Sequence, residues 1–487
     1  MRHRLITLQA RVLHWLELAN RQLDRLLLYD RLPTILLWSF AAVIVFLPGV
    51  LLCESSAPRY RVVVDPGHGG APGRAADDKW DAVTGSYLDV YRPGMVALAN
   101  GRTYQEHLIA LELGRRLQHY LDLTRSEAGW RNFVELLTQF SAQRSFQRII
   151  IDSSMSREDS WNHRFRSADH PEVNAAYRLY DYPDPDTGHM EMGRISYMNS
   201  LHPHMVVSLH CTPAGPGRGP GGMAAVIAPG FPTFDLIRQI HLGQKPQALF
   251  DNGPWNGRFL VTDAGWTQFE AARADAWVYF NGYRTNRQGT AIDRSKNRGI
   301  RYNMFQWRYR DPPGWEVLYN PDEPGPYALD FREFRAEGPF WDREKAQPEL
   351  WRREGGPLGY GGDNYYASDE LLRFVQFGLR RLVPALRANN AIGPINQPFV
   401  STYSVPTFIN AISAYLEIAY LDRQQDRVIM IEHTDAVAKS LAVGIYSLFV
   451  GLELNGNYGP FKPRGEALGL EKYENLPQGN YFELVTD

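Results

Sequence analysis

The stretch Val62–Gly70 reads VVVDPGHGG and is the most informative part of this chain. Its three valines predict a buried β-strand, and the glycines beside the histidine allow the backbone to turn sharply and to approach a ligand closely. Two other apolar runs end in a polar side chain, MVVSLH at Met205–His210 and VIMIE at Val428–Glu432. Ligands of open α/β sheets bind beyond the carboxyl ends of the strands. We therefore predict that the three run ends form one site, which would contain His68, His210 and Glu432.

Strand-like runs alternate with helical patterns along the chain. The runs lie at residues 61–65, 148–152, 205–210, 223–228 and 428–432. Leucines recur at helical spacing in residues 105–121, and residues 433–453 predict a closing helix. Short apolar strands without polar alternation are typical of a sheet covered on both faces. The pattern predicts an α/β fold with a twisted, mainly parallel or mixed sheet, helices on both faces and large insertions.

Composition limits the classes of partner and of covalent framework. The 487 residues are 44% hydrophobic, which is enough for a substantial core. The formal net charge is −2, so nothing indicates a nucleic-acid partner. The two cysteines, Cys53 and Cys211, do not form the spacing pattern of a disulfide framework.

The N-terminal region predicts a membrane anchor. Residues 32–53 carry no charge and are long enough to form a transmembrane helix. Arginines precede them, so the positive-inside rule predicts a cytoplasmic N-terminus, one crossing of the inner (cytoplasmic) membrane and a periplasmic or otherwise extracytoplasmic domain at 54–487. Residues 1–31 fit a cytoplasmic amphipathic segment that lies on the membrane or against a partner. A signal peptide cut near Ala57 is the alternative to an uncleaved anchor.

Two parts of the outer domain read as insertions, at about residues 122–190 and 230–425. The second is rich in Gly, Pro, Trp and Tyr and has little periodicity. No flexible linker brackets it, so we interpret it as a large insertion in the α/β domain rather than a freely tethered domain. We expect its aromatic side chains to pack in a core or lid rather than to bind sugar rings. One hypothesis is that the insertions form a lid that an envelope protein partner displaces.

The segment DPGHGG resembles the signature of zinc-dependent N-acetylmuramoyl-L-alanine amidases of the type-3 catalytic family. In that family the histidine of an Asp-x-Gly-His-Gly-Gly turn binds zinc, and a glutamate that opens a Leu/Ala-rich helix follows. The sequence EHLIALEL, which begins at Glu106, matches that helix. The family then has an arginine and an asparagine on a helix, followed by a strand that ends in Ser-x-His. Arg194, Asn199 and His210 match these positions.

The resemblance implies a ligand set and a catalytic residue. His68, Glu106 and His210 would bind zinc (Zn²⁺), with His107 as a rival ligand. The run that ends in Glu432 matches the family's strand with the catalytic glutamate. Three protein ligands leave one zinc position open for water, and zinc lowers the pKa of that water to about 7. A nearby carboxylate can then carry a proton from the water to the leaving amine.

The function implied is hydrolysis of peptidoglycan at the amide between N-acetylmuramic acid and L-alanine. The family usually continues past its catalytic glutamate with an aromatic residue and a Ser-Asn pair, whereas this chain has His433, Thr434 and Asp435. That difference motivates a second hypothesis, a catalytically silent scaffold that binds the wall or regulates other envelope proteins. A third hypothesis keeps the zinc hydrolase but assigns it another amide or peptide substrate.

Overall fold

Four of the five apolar runs of the sequence form strands of one sheet. The structure, a computed structural model, describes residues 57–69, 79–81, 86–88, 94–158, 179–180, 182–183, 190–191, 193–213, 220–281, 284–291, 339–356, 358–388, 390–402 and 405–484. The strands are β1 Arg59–Pro66, β2 Lys79–Asp81, β3 Ser86–Leu88, β4 Val96–Ala99, β5 Arg102–Gln105, β6 Ile150–Met155, β7 Tyr182–Pro183, β8 Met190–Glu191, β9 Met205–Thr212, β10 Ala224–Ile227, β11 Phe399–Val400 and β12 Ile412–Tyr420.

The helices vary from single turns to long helices that cover the sheet. They are α1 Glu106–Asp122, α2 Glu127–Thr138, α3 Arg194–Ser200, α4 Phe231–His241, α5 Ala248–Asp251, α6 Gln268–Asn281, α7 Pro339–Glu344, α8 Gln347–Arg353, α9 Gly362–Leu382, α10 Val405–Phe408, α11 Gln424–Glu432, α12 Thr434–Val450, α13 Glu471–Glu474 and α14 Tyr481–Leu484. Short 3₁₀ helices lie at Leu123–Arg125 and Pro384–Leu386.

Within the described residues, the main sheet has six strands in the order β11-β10-β12-β9-β1-β6. β1 lies between β6 and β9 and is parallel to both. β12 is parallel to β9, whereas β10 is antiparallel to β12 and parallel to β11. The prediction of a mainly parallel or mixed sheet is therefore confirmed. The parallel order places the carboxyl ends of β1, β9 and β12 side by side.

Helices cover both faces of this sheet. Successive side chains of a strand point to opposite faces. Gly114 of α1 lies against Val64 and Pro66, whereas Arg194 of α3 pairs with Asp65. α1 and α3 therefore lie on opposite faces of β1, as the sequence predicted. α12 and α9 extend the layer of α1, because α12 packs against both of these helices.

The prediction of a strand at residues 428–432 is wrong. This segment forms the C-terminal part of α11. The residues that α11 buries are Asp426, Ile429 and Met430, which follow helical spacing, while Ile431 is exposed. A short apolar run bounded by polar residues fits a strand or a helical turn equally well by periodicity alone.

The predicted insertions contain three strands of the main sheet. β6 lies within residues 122–190, and both β11 at Phe399–Val400 and β12 lie within residues 230–425, so neither range is an insertion throughout. The expectation that aromatic residues pack is confirmed for Trp255, Trp277 and Trp341, which are all buried.

The chain divides into two units, Met1–Pro58 and Arg59–Asp487. Among the residues that the structure describes, no helix has both the length and the apolar composition that a membrane crossing requires. The span predicted at residues 32–53 and the amphipathic segment at 1–31 lie outside the described residues, so both stay predictions.

Candidate metal centre

Three sequence-predicted ligands meet beyond the carboxyl ends of β1 and β9. One ring nitrogen of His68, one of His210 and a carboxylate oxygen of Glu106 all lie within 4.8 Å of one another. Glu106 Oε1 lies 3.3 Å from Nε2 of His68 and 3.1 Å from Nδ1 of His210. The fold therefore brings together residues from three distant segments into one possible metal site.

His68 lies in the turn that follows β1. Its φ is 61°, in the left-handed region that side-chain-bearing residues rarely adopt. The amide of Gly67 donates to the carbonyl oxygen of Leu209 over 2.9 Å, which continues the pairing of β1 with β9 past the strand end. The side chain of His68 is 24% exposed, while that of Glu106 is 2% exposed. Solvent therefore reaches the cluster from the His68 side.

Glu106 opens α1, and backbone amides fix both of its carboxylate oxygens. Oε2 accepts from the amide of Met95 over 2.6 Å, and Oε1 accepts from the amide of Cys211 over 2.9 Å. Burial alone would raise the pKa of Glu106, but His68 and His210 outweigh that effect and lower the pKa below its ordinary value. The side chain is therefore an ionised carboxylate held in one orientation.

His210 is buried near the end of β9 and is held in its neutral form. Burial lowers its pKa, and the hydrogen bond to Glu106 opposes this only in part. The ring stacks on Tyr415 of β12, with centroids 4.3 Å apart and planes 10° apart. Neutral imidazole is the form that binds metal ions, so this histidine needs no deprotonation to act as a ligand.

Asp65 fixes the strand end that precedes His68. Its carboxylate accepts hydrogen bonds from Ser156 over 2.5 Å, Ser208 over 2.9 Å and Arg194 over 3.3 Å. Burial alone would raise the pKa of Asp65, but Arg194 and the two hydroxyl groups lower it. Removing one partner of such a buried ion pair costs about 3–5 kcal/mol. Asp65 thus joins β1 to β9, to α3 and to the residue that follows β6.

Asn199 is the second motif residue on α3, after Arg194, and it supports β12. Its side-chain amide donates to the carbonyl oxygen of Phe408 over 3.1 Å and accepts from the amide of Asn410 over 2.9 Å. Both contacts lie just before β12 begins. Arg194 and Asn199 therefore stabilise the strands that carry the site.

Glu432 does not occupy the position for which it was selected. It is the last residue of α11 and is exposed. The strand beside β9 is β12, and its register places Glu417 opposite His210. The acid on the strand next to β9, beside His210, is therefore Glu417 and not Glu432.

Glu417 is a buried acid on the same side of β12 as Tyr415, the residue that stacks on His210. Its Oε2 has no hydrogen-bond partner among the described residues. The register shifts directly after Glu417, because Ala419 pairs with Cys211, and such bulges re-aim side chains next to active sites. Burial raises the pKa of Glu417 well above its ordinary value, and the charge of Glu106 raises it further.

The sequence contained a signal for Glu417. The run AYLEIAY at Ala414–Tyr420 is a strand-like segment with an aromatic residue three positions after the glutamate. An aromatic residue after the catalytic glutamate is the family feature that is missing after Glu432. This run lies within the insertion predicted at residues 230–425.

Two glycines allow the backbone to approach the ligands. A Cβ atom at Gly67 would lie 2.4 Å from Cε1 of His210. A Cβ atom at Gly94, where φ is +76°, would lie 2.5 Å from both Oε2 of Glu106 and Cδ2 of His68. Any larger residue at either position must displace a ligand.

We expect Gly67→Ala to weaken metal binding by about 10–100-fold, as for the loss of an outer contact of a metal ligand, because the new methyl group pushes the ring of His210 aside. Equilibrium competition with a chromophoric chelator measures the change. Gly355→Ala is the matched control, since a Cβ atom there meets its nearest neighbour at an ordinary 3.4 Å. Equal affinities for wild type and Gly67→Ala would contradict the described packing.

No family model matches the chain, and no curated protein matches it. The solved structures to which it is similar include three N-acetylmuramoyl-L-alanine amidases. The enzyme from Clostridium difficile is 10% identical, with 80% of this chain and 97% of that chain covered and a TM-score of 0.31. The apo enzyme from Mycobacterium abscessus is 13% identical, with 80% and 98% covered and a TM-score of 0.33.

The third, from Nostoc punctiforme, is 10% identical, with 80% and 97% covered and a TM-score of 0.29. These neighbours belong to the enzyme class that the sequence motifs resemble. At such low identities and TM-scores the likeness carries no argument about function.

Proposed function

We propose that this protein is a zinc-dependent cell-wall hydrolase that cleaves the amide between N-acetylmuramic acid and L-alanine in peptidoglycan. One observation carries the proposal. His68, Glu106 and His210 converge, and Glu417 lies beside them on the neighbouring strand. The choice of substrate rests on the resemblance of the DPGHGG turn and on the order of the motifs that follow it.

The donor set fits zinc. Two imidazole nitrogens and one carboxylate oxygen are the protein ligands of a known class of catalytic zinc site, whereas magnesium and calcium prefer oxygen ligands alone. The lowered pKa values of His210 and Glu106 leave both groups in their metal-binding forms at neutral pH. Bound zinc would polarise the amide carbonyl and lower the pKa of a water molecule to about 7.

Glu417 is the group that moves the proton in this proposal. Its Oε2 would accept a proton from the attacking water and donate it to the nitrogen of the leaving L-alanine. The burial of Glu417 and the absence of a hydrogen-bond partner for Oε2 in the described part of the chain leave this oxygen available. Met95 and Cys211 hold Glu106 in place through their amides, and Tyr415 supports the ring of His210.

We also propose that residues 32–53 anchor the protein in the cytoplasmic membrane with the catalytic unit outside. The uncharged length of this segment and the arginines before it support the proposal. Protease added to intact spheroplasts should digest residues 54–487. Full protection of these residues would contradict the predicted orientation.

The experiment that tests the function uses the full chain with labelled peptidoglycan, with and without a chelator. We expect chelator-sensitive release of stem peptides that carry a free L-alanine amine, identified by mass spectrometry. Products cut at another amide would support the hydrolase with a different substrate. Bound zinc without any hydrolysis, in wild type as in Glu417→Gln, would support the silent scaffold.

A further inference from the structure

Arg157 is a buried residue that lies directly after Ser156, beyond the end of β6. Its guanidinium group donates to the carbonyl oxygen of Pro66 from Nε over 3.0 Å. It also donates from Nη2 to the carbonyl oxygens of Gly67 over 2.9 Å and His107 over 2.7 Å. One side chain therefore bonds two separate backbone segments.

These two segments carry two of the three candidate ligands. Pro66 and Gly67 directly precede His68, and His107 directly follows Glu106. The rigid fork of a guanidinium group fixes the directions of its hydrogen bonds. The distance between the turn of His68 and the first turn of α1 is therefore set in part by Arg157.

Arg194 reinforces one side of this contact. Its Nη1 donates to the same carbonyl oxygen of Pro66 over 3.0 Å while it pairs with Asp65. Arg194 lies on the α3 side of β1. Arg157 bonds directly to both ligand-bearing segments.

We propose that Arg157 is a positioning residue that sets the spacing of His68 and Glu106 for metal binding. This inference rests on the proposed metal site. His68 adopts a disfavoured left-handed conformation, and such conformations persist only where the surroundings hold them. The hydrogen bonds from Arg157 to the two carbonyl groups before His68 supply such a constraint.

The test measures the affinity of the full chain for zinc, and the absorption spectrum of the cobalt-substituted protein, in Arg157→Met and Arg157→Lys. We expect Arg157→Met to weaken zinc binding by about 10–100-fold, the range for outer contacts of metal ligands, and to change the cobalt spectrum. Lysine retains the charge but not the planar fork of hydrogen-bond donors. The zinc affinity of Arg157→Lys should therefore lie between the affinities of Arg157→Met and wild type.

Arg148→Met is the matched control. Arg148 precedes β6 at its other end and also donates to a backbone carbonyl, that of Thr124. We expect this variant to lose some thermal stability and to keep the zinc affinity and cobalt spectrum of wild type. If Arg157→Met does not fold, the zinc affinity and the cobalt spectrum of Arg157→Lys alone test the inference.

Wild-type zinc affinity and an unchanged cobalt spectrum in the folded Arg157 variants would overturn the inference. A wild-type protein that binds zinc but does not cleave peptidoglycan would overturn the proposed function instead. In that case the role of Arg157 in spacing the ligands would still stand on its effect on zinc affinity.

Discussion

Glu417→Gln is expected to lower kcat for peptidoglycan hydrolysis by about 10²–10⁴-fold, the usual contribution of a general acid–base group. Glutamine has nearly the same shape as glutamate but cannot accept and return a proton. Zinc binding should stay stoichiometric, because Glu417 is not one of the three clustered ligands. Steady-state kinetics with a soluble muramyl peptide, together with metal analysis of the same sample, measure both quantities.

Glu432→Gln is the control for this variant, because Glu432 is exposed at the end of α11. Its kcat should stay within about twofold of wild type, as for surface changes with little effect on stability. The opposite pattern, an inactive Glu432→Gln beside an active Glu417→Gln, would restore the interpretation that the sequence first favoured. It would also show that the register of β12 does not identify the proton carrier.

His210→Ala is expected to abolish hydrolysis and to weaken zinc binding by more than the ~10–100-fold that follows loss of an outer contact. The variant removes a ligand itself, and it leaves Glu106 without one of the two histidines that lower its pKa. Isothermal titration with zinc measures the affinity directly. Retention of wild-type affinity would exclude His210 from the metal site.

His204→Ala is the matched control for that variant. His204 is also buried, and burial first and the charge of Arg61 next lower its pKa to about 4. Its Nδ1 accepts a hydrogen bond from the amide of Arg61, away from the ligand cluster. We expect this variant to lose stability and to bind zinc as wild type does.

The turn of His68 and the end of β9 could be predicted because their sequences leave few alternatives. Val62–Val64 and Met205–Val207 are short runs of β-branched or aliphatic residues, and Val64 is followed by Asp65-Pro66-Gly67, which ends the strand. Both runs form buried central strands of the sheet. Glu106 is different, because a glutamate in the first turn of a helix is common, and only the order of the motifs selected it.

Glu417 was missed because its strand alternates between polar and apolar residues within a region of poor periodicity. Ser413, Tyr415 and Glu417 share one side of β12, and all three are buried. A run such as VIMIE, with four consecutive apolar residues, looks more like a buried strand, yet here it forms part of a helix. Tertiary packing decides between the two, and it is not visible in a window of five residues.

The contacts that hold the ligands could not be predicted at all. Glu106 is fixed by the amides of Met95 and Cys211, and Arg157 donates to the backbone carbonyl groups of Pro66, Gly67 and His107. Backbone groups are present at every residue, so no sequence pattern marks the ones that meet a given side chain.

X-ray absorption at the zinc edge of the loaded full chain tests the central claim most directly. The account predicts one zinc per chain, with two imidazole nitrogens and a carboxylate oxygen at about 2.0–2.2 Å. A sulfur ligand at about 2.3 Å or a shell without imidazole would contradict the site of His68, Glu106 and His210.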